Sequence, residues 1–157
     1  KIEDVKNELL FEAEKKAEMI VNEAKIKADQ IRKEANNKAE KLESEAKKKN
    51  QIAHSEIKKQ VKDLKQKGYN EAELLIKQAN SPLAKLAAQK GADELKKSTD
   101  KKAKDLEKKL INKANSTEKT AFSAANKIRI EGNNKADLLE KKAKSEAKKL
   151  IDAAKNK

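Results

Sequence analysis

The sequence predicts an all-α fold, an elongated antiparallel hairpin of two long helices. Three observations support this prediction. Apolar side chains recur every eleven residues on one face of a helix. The 157 residues contain only three glycines and one proline, and that proline, Pro82, lies near the middle of the chain. Charged residues make up 43% and aromatic residues 2%, so bulky side chains for a globular enzyme core are scarce.

The first helix is predicted over residues 3–79, which form the first arm. Its apolar positions advance in steps of four, three and four and therefore share one narrow face. Eleven residues in three turns give about 3.67 residues per turn, which favours a nearly straight or slightly right-handed coiled coil. At 1.5 Å per residue, such an arm would be roughly 110 Å long. The row that opens the repeat comprises Ala13, Ala24, Ala35 and Ala46.

Residues 80–81 are predicted to form the turn between the arms. Ser81 is a good N-cap, and Pro82 suits the first position of a helix, where a missing N–H does no harm. Asn80 is suited to the left-handed conformation that often ends a helix. A connection this short favours antiparallel neighbours, although a proline kink in one continuous helix is the alternative.

Aliphatic residues surround the predicted turn, and two interpretations of them stay open. They could close the end of the seam between the helices, or they could form a docking tip for a partner. These residues are Leu74, Leu75, Ile76, Leu83 and Leu86.

The second helix is predicted over residues 82–155 and repeats the eleven-residue pattern. Folding the chain at Ser81–Pro82 pairs residues whose numbers sum to about 163, so that large side chains face small ones. Ala53 and Leu110 each break their own row, and their mutual compensation makes them the predicted register-setting pair. The same register predicts Ile31 opposite Gly132 and Gly68 opposite Leu95.

Possible helix breaks define a structural alternative to the hairpin. Gly68 and two sequences that resemble helix starts, near Ser98 and Ser116, would divide the chain into a short bundle. The unbroken repeat from Ala92 to Ala154 favours continuous helices, because a loop would normally lose the phase.

No catalytic, cofactor-binding or metal-binding site is predicted. His54 is the single histidine and lies beside the apolar stripe without a ligand motif around it, and the chain has no cysteine. Glycine-rich phosphate loops and nucleophile elbows are also absent from the sequence. These observations predict that the protein is not an enzyme and uses no cofactor or small-molecule substrate.

The formal net charge is +13, and among 40 basic residues only Arg32 and Arg129 are arginines. A lysine-rich surface suggests non-specific binding to an anionic membrane surface or to nucleic acid. Compositional bias toward lysine and asparagine is an equally open explanation. The narrow apolar stripe predicts a marginally stable monomer, so we expect a homo-oligomer, such as a four-helix assembly, or pairing with another helical protein.

The chain begins with Lys1, which predicts that an N-terminal segment has been removed by processing or by design. No apolar run approaches the length of a membrane span. Together with the lysine-rich rod, these features suggest a bacterial cell-envelope or periplasmic location.

One stretch resembles a known family. The run from Glu12 to Ile20, Glu-Ala-Glu-Lys-Lys-Ala-Glu-Met-Ile, continues with Asn-Glu-Ala to Ile31 and Lys-Glu-Ala to Leu42. It resembles the alanine-rich stalk helices of rotary-ATPase peripheral-stalk subunits of the b and E/H types. The resemblance covers residues 10–53 and implies a mechanical, spacer-like coiled coil. The turn at Ser81–Pro82 and the lack of a globular end domain depart from that family.

The predicted function is therefore structural, a rigid spacer or helical interaction module. Binding to anionic membranes or nucleic acid is the first alternative. The second is a protectant like the desiccation-related or apolipoprotein-like helical proteins, which would become helical only under certain conditions.

Overall fold

A computed structural model describes residues 1–156 and contains two α-helices. Helix α1 spans Ile2–Lys77 and helix α2 spans Pro82–Lys155, and the described residues include no strand. The helices pack against each other as an antiparallel hairpin, which confirms the predicted all-α fold. Helix α1 ends at Lys77, two residues before the predicted end of the first arm.

Both helices continue through the positions where breaks were considered, so the alternative of a short bundle is wrong. Helix α1 contains Gly68, and α2 contains Ser98 and Ser116. Hydroxyl groups are accommodated inside the helix because they donate to the carbonyl one turn earlier. Thr117 Oγ1 donates to the Lys113 carbonyl at 3.0 Å, and Thr120 Oγ1 donates to the Ser116 carbonyl at 3.0 Å.

The contacts between residues divide the chain into two compact units. The terminal unit combines Lys1–Glu43 with α2 from Phe122 onward. Its buried hydrophobic residues are alanines of both helices, because only small side chains fit between closely packed backbones. They are Ala17, Ala24, Ala28, Ala35 and Ala39 of α1 and Ala125, Ala136, Ala143 and Ala147 of α2.

The turn unit comprises Ser44–Ala121. Its buried cluster contains Ile57, Val61 and Ala103. Leu64, Leu110, Ile111 and Ala114 pack against this cluster and are partly buried. Ala53 is half-buried in the same unit. Its proposed role as the register-setting partner of Leu110 stays a prediction.

The register differs from the predicted one by one helical turn. A Cβ atom added to Gly68 would lie 2.2–2.8 Å from side-chain atoms of Thr99, and one added to Gly132 would lie 2.4 Å from Ala35 Cβ. The predicted pairing of Gly68 with Leu95 is therefore wrong. Gly132 approaches the predicted Ile31 only at its carbonyl oxygen, 3.8 Å from the added Cβ, and faces Ala35 more closely. The numbers of the facing residues sum to 167 in each unit. Both glycines face another small residue, and the backbones approach closely there.

The observed register still brings small residues level with large ones. Extending the sum of 167 along each unit makes Ala28 level with Leu139 in the terminal unit and Ala72 level with Leu95 in the turn unit. Both alanines have no exposed surface. No large side chain among the described residues is fully buried. The seam is therefore thin, with alanine as its main buried residue.

Candidate interaction site at the helix turn

The turn connects α1 to α2 through residues 78–81, and Ser81 caps α2. Ser81 Oγ accepts a hydrogen bond from the Ala84 amide at 3.1 Å, and the Ser81 carbonyl accepts one from the Lys85 amide at 2.8 Å. Pro82 is the first residue of α2, where its missing N–H is not needed. The side-chain bond satisfies one of the free donors at this helix end.

Helix α1 ends without the left-handed residue expected at Asn80. No non-glycine residue of the described chain has a positive φ, so that expectation is wrong. Instead, the Ala79 amide donates to the Ile76 carbonyl at 3.3 Å. This i→i−3 bond tightens the last turn and provides a partner for a terminal carbonyl.

Exposed leucines surround the turn. Leu83 is 80% exposed, Leu86 67%, Leu74 54% and Leu75 43%. Ile76 is half-buried, and Asn80, Ser81 and Pro82 are exposed. The four leucines therefore do more than close the end of the seam, because much of each side chain faces solvent. We call Leu74, Leu75, Leu83 and Leu86 the leucine tip.

The charged residues between Glu73 and Asp93, on either side of the turn, are all lysines. Between Leu74 and Ala92 the sequence contains Lys77, Lys85 and Lys90 and no acidic residue. All three lysines are exposed. Other stretches without carboxylates occur along both helices, such as the one between Glu107 and Glu118, but only this one lies beside the turn and its exposed leucines.

A polar cluster joins the helices farther from the turn. Asn50 Nδ2 donates to Asn115 Oδ1 at 3.3 Å and also to Glu118 Oε2. His54 Nε2 lies 3.2 Å from Asn115 Oδ1. Asn50 Oδ1 is buried and finds no hydrogen-bond partner among the described residues. Such polar contacts inside an apolar seam select register more than they stabilise it.

Both arginines also join the helices. Arg32 binds Asp137 at 2.7 Å and Glu140 at 2.6 Å, and its hydrogen bond to Asp137 is the main cause that raises the Arg32 pKa. Arg129 binds Glu43, and this hydrogen bond raises the Arg129 pKa. A planar guanidinium can hold two carboxylates at once, which an ammonium group does less well. The scarcity of arginine in a lysine-rich chain was a usable signal for these positions.

Tyr69 forms a further polar contact between the helices of the turn unit. Its hydroxyl donates to Asp100 Oδ1, and this hydrogen bond is the main cause that raises the Tyr69 pKa. The hydroxyl stays protonated because the carboxylate stabilises the donor and would repel a phenolate.

The described residues contain no arrangement suited to metal binding or to crossing a membrane. No group of three or more His, Cys, Asp and Glu side chains within residues 1–156 could hold a metal ion. Within the same range, no helix is long and apolar enough to span a bilayer.

The groove beside His54 is open and lined by Asn50, Gln51, Ser55 and Lys58.

Comparison with known proteins returned no match to a protein-family model, to a curated protein or to a solved structure.

Proposed function

We propose that the chain is a structural coiled-coil hairpin, a rigid spacer that presents its turn and its ends to other molecules. The observation that carries this proposal is that the buried and ion-paired side chains mainly join one helix to the other. Fully buried alanines, both arginines and the polar cluster all join α1 to α2. Side chains that join two helices in a fixed register support a mechanical role more than a binding pocket.

Small-angle scattering with inline mass determination tests the spacer. We expect a rod-like profile with a maximum dimension on the order of 110–120 Å, the length of one arm at 1.5 Å per residue. A compact particle would contradict the proposal. A dimension near twice that value would contradict the hairpin itself.

We also propose that the chain associates with a second copy or with another helical protein. The chain exposes 12570 Å², whereas a compact protein of 17.6 kDa would expose about 7,900 Å². A seam that buries so little area leaves a marginally stable monomer. The inline mass should therefore exceed that of one chain, and a monomer that stays fully helical at low concentration would contradict association.

A second candidate function, binding to an anionic surface, is favoured by the net charge of +13. Charge alone would give binding that weakens steeply with salt and shows no preferred contact site. Vesicle or duplex-DNA binding at two salt concentrations tests it, and binding that does not respond to salt contradicts it.

A further inference from the structure

We infer that the leucine tip is a docking surface for the headgroup region of an anionic lipid bilayer. This inference does not depend on the spacer role, because it concerns only the turn and the residues that flank it. Three features of the tip support it: the exposure of its leucines, their distribution around both helices, and the charge beside them.

The four leucines form a group of exposed apolar side chains beside the turn. Four leucines lie within thirteen residues, and the least exposed of them, Leu75, is still 43% exposed. Exposed apolar side chains that occur singly need no explanation, but several of them close together favour an interaction site. Residues 74–86 therefore present exposed apolar side chains on both helices beside the turn.

The distribution of the leucines favours a partner that surrounds the tip. At about 100° per residue, Leu74 lies about 200° from buried Ala72 on α1, and Leu83 lies about 180° from buried Ala92 on α2. Leu74 and Leu83 thus point away from the seam on their own helices. A single partner helix would cover only one of these faces. Lipid headgroups and acyl chains would surround both faces once the end of the hairpin is inserted.

The charge beside the tip is complementary to an anionic surface. Lys77, Lys85 and Lys90 flank the leucines without an intervening carboxylate. Their long side chains can extend toward phosphate groups while their apolar stems lie beside the leucines. A second copy docked tip to tip would place three lysines against three lysines, which disfavours that occupant.

Vesicle sedimentation with the full chain tests the proposal. The probes are vesicles of phosphatidylcholine alone and of equal parts phosphatidylcholine and phosphatidylglycerol. We expect binding to the anionic vesicles and much weaker binding to the neutral ones. Absence of binding to the anionic vesicles would overturn the proposal and leave the tip to a protein partner.

Leucine variants locate the contact. Leu83→Asn with Leu86→Asn should weaken binding on the order of 100-fold, equivalent to about 2.8 kcal/mol, because two leucines no longer enter the apolar phase. The matched control is Ile26→Asn with Ile52→Asn, which alters side chains 69% and 60% exposed away from the turn. The control should bind as the unaltered chain does. Equal weakening by both pairs would overturn the proposal.

Lysine variants separate a local charge from the overall charge. Replacing Lys77, Lys85 and Lys90 by glutamine should weaken binding on the order of 100-fold, since each lysine near an anionic surface contributes roughly tenfold or less. The control replaces Lys101, Lys102 and Lys104, which are also exposed but lie beside acidic residues. If both triple variants weaken binding equally, attraction by the net charge explains the result and the tip is not the site.

A fluorescence readout shows which residue enters the lipid. The chain contains no tryptophan, so a single introduced one reports its own surroundings. Leu83→Trp should be quenched by brominated lipid in anionic vesicles, and Ile52→Trp should not. Quenching of both, or only of the latter, would overturn insertion at the tip. Circular dichroism of every variant before vesicles are added checks that the helices remain.

Discussion

Replacing Gly68 by alanine tests the close approach of the two helices. A Cβ atom at Gly68 would lie 2.2 Å from Thr99 Oγ1, 2.4 Å from Thr99 Cγ2 and 2.8 Å from Thr99 Cβ. Rotation about χ1 could move Oγ1 and Cγ2 away, but it leaves Thr99 Cβ in place. The helices must therefore separate locally to admit a methyl group.

Gly91 provides the matched control in the same unit. Nothing lies within 4 Å of a Cβ atom added there. Replacing a glycine inside a helix by alanine stabilises it by about 1 kcal/mol when the methyl group meets no obstacle. Gly91→Ala should therefore raise the melting temperature by roughly 2–4 °C for a chain of this size.

At Gly68 the same intrinsic gain is opposed by overpacking, which costs about 1–3 kcal/mol. We expect Gly68→Ala to be neutral to about 2 kcal/mol less stable than the original chain. Relative to Gly91→Ala, the difference should be about 1–3 kcal/mol. A helix propensity effect alone would make the two variants equal.

Urea and thermal unfolding followed by circular dichroism measure both variants. The double variant Gly68→Ala with Thr99→Gly removes Thr99 Cβ and should recover part of the loss, giving a favourable coupling between the two positions. If Gly68→Ala stabilises as much as Gly91→Ala does, Thr99 does not face Gly68 and the observed register is refuted.

Three further perturbations test the polar contacts between the helices. Asn50→Asp should lower stability by about 2 kcal/mol at pH 7, because the new carboxylate cannot donate and repels Glu118; the loss should shrink near pH 4, and an equal loss in urea melts at both pH values would contradict this. Arg32→Lys should lower the melting temperature at low salt, because an ammonium replaces the guanidinium fork, and an unchanged melting temperature would show that the fork contributes nothing. Tyr69 should titrate above its ordinary pKa of about 10, as followed by tyrosinate absorbance, and Asp100→Ala should lower that pKa. Because the folded pKa is raised, the stabilisation is complete below about pH 10 and is lost as pH rises through the folded value; a Tyr69 titration unaffected by Asp100→Ala would contradict the assignment.

The sequence was sufficient to predict two antiparallel helices and the capping of α2. Pro82 and Ser81 restrict the backbone locally, so the start of α2 depends on few long-range contacts. The end of α1 was predicted less well, because a tightened last turn replaces the left-handed residue expected at Asn80. A left-handed residue and a tightened last turn can each provide partners for the terminal carbonyls of α1, so local chemistry does not choose between them.

The register was not predictable from the apolar pattern. Positions advance in steps of four and three, so sliding one helix by four residues again places small rows beside large rows. What distinguishes the two registers is a few specific contacts, such as Asn50 with Glu118 and Arg32 with Asp137. Each contact joins polar residues far apart in sequence, and the spacing of apolar residues contains no information about such pairs.

The sequence predicted an aliphatic group at the turn but left open whether its side chains would be exposed. Leu75, Leu83 and Leu86 could equally have filled the end of the seam, because spacing alone does not tell where a thin seam ends. Their exposure follows from the small amount of space between helices that pack through alanine.

The spacing of the buried alanines has a consequence for how such a chain can change in length. Ala17, Ala28 and Ala39 are buried at intervals of eleven residues. Deleting or duplicating one such interval in both helices would remove or add a complete segment and leave every other pairing in phase. The same change in one helix alone would shift every pairing between that interval and the chain ends by eleven residues. An interval lost from α1 between Glu43 and the turn would separate Arg32 from Asp137 and Glu140, and Arg129 from Glu43. Length variation in this protein should therefore occur as paired events, one on each side of the turn.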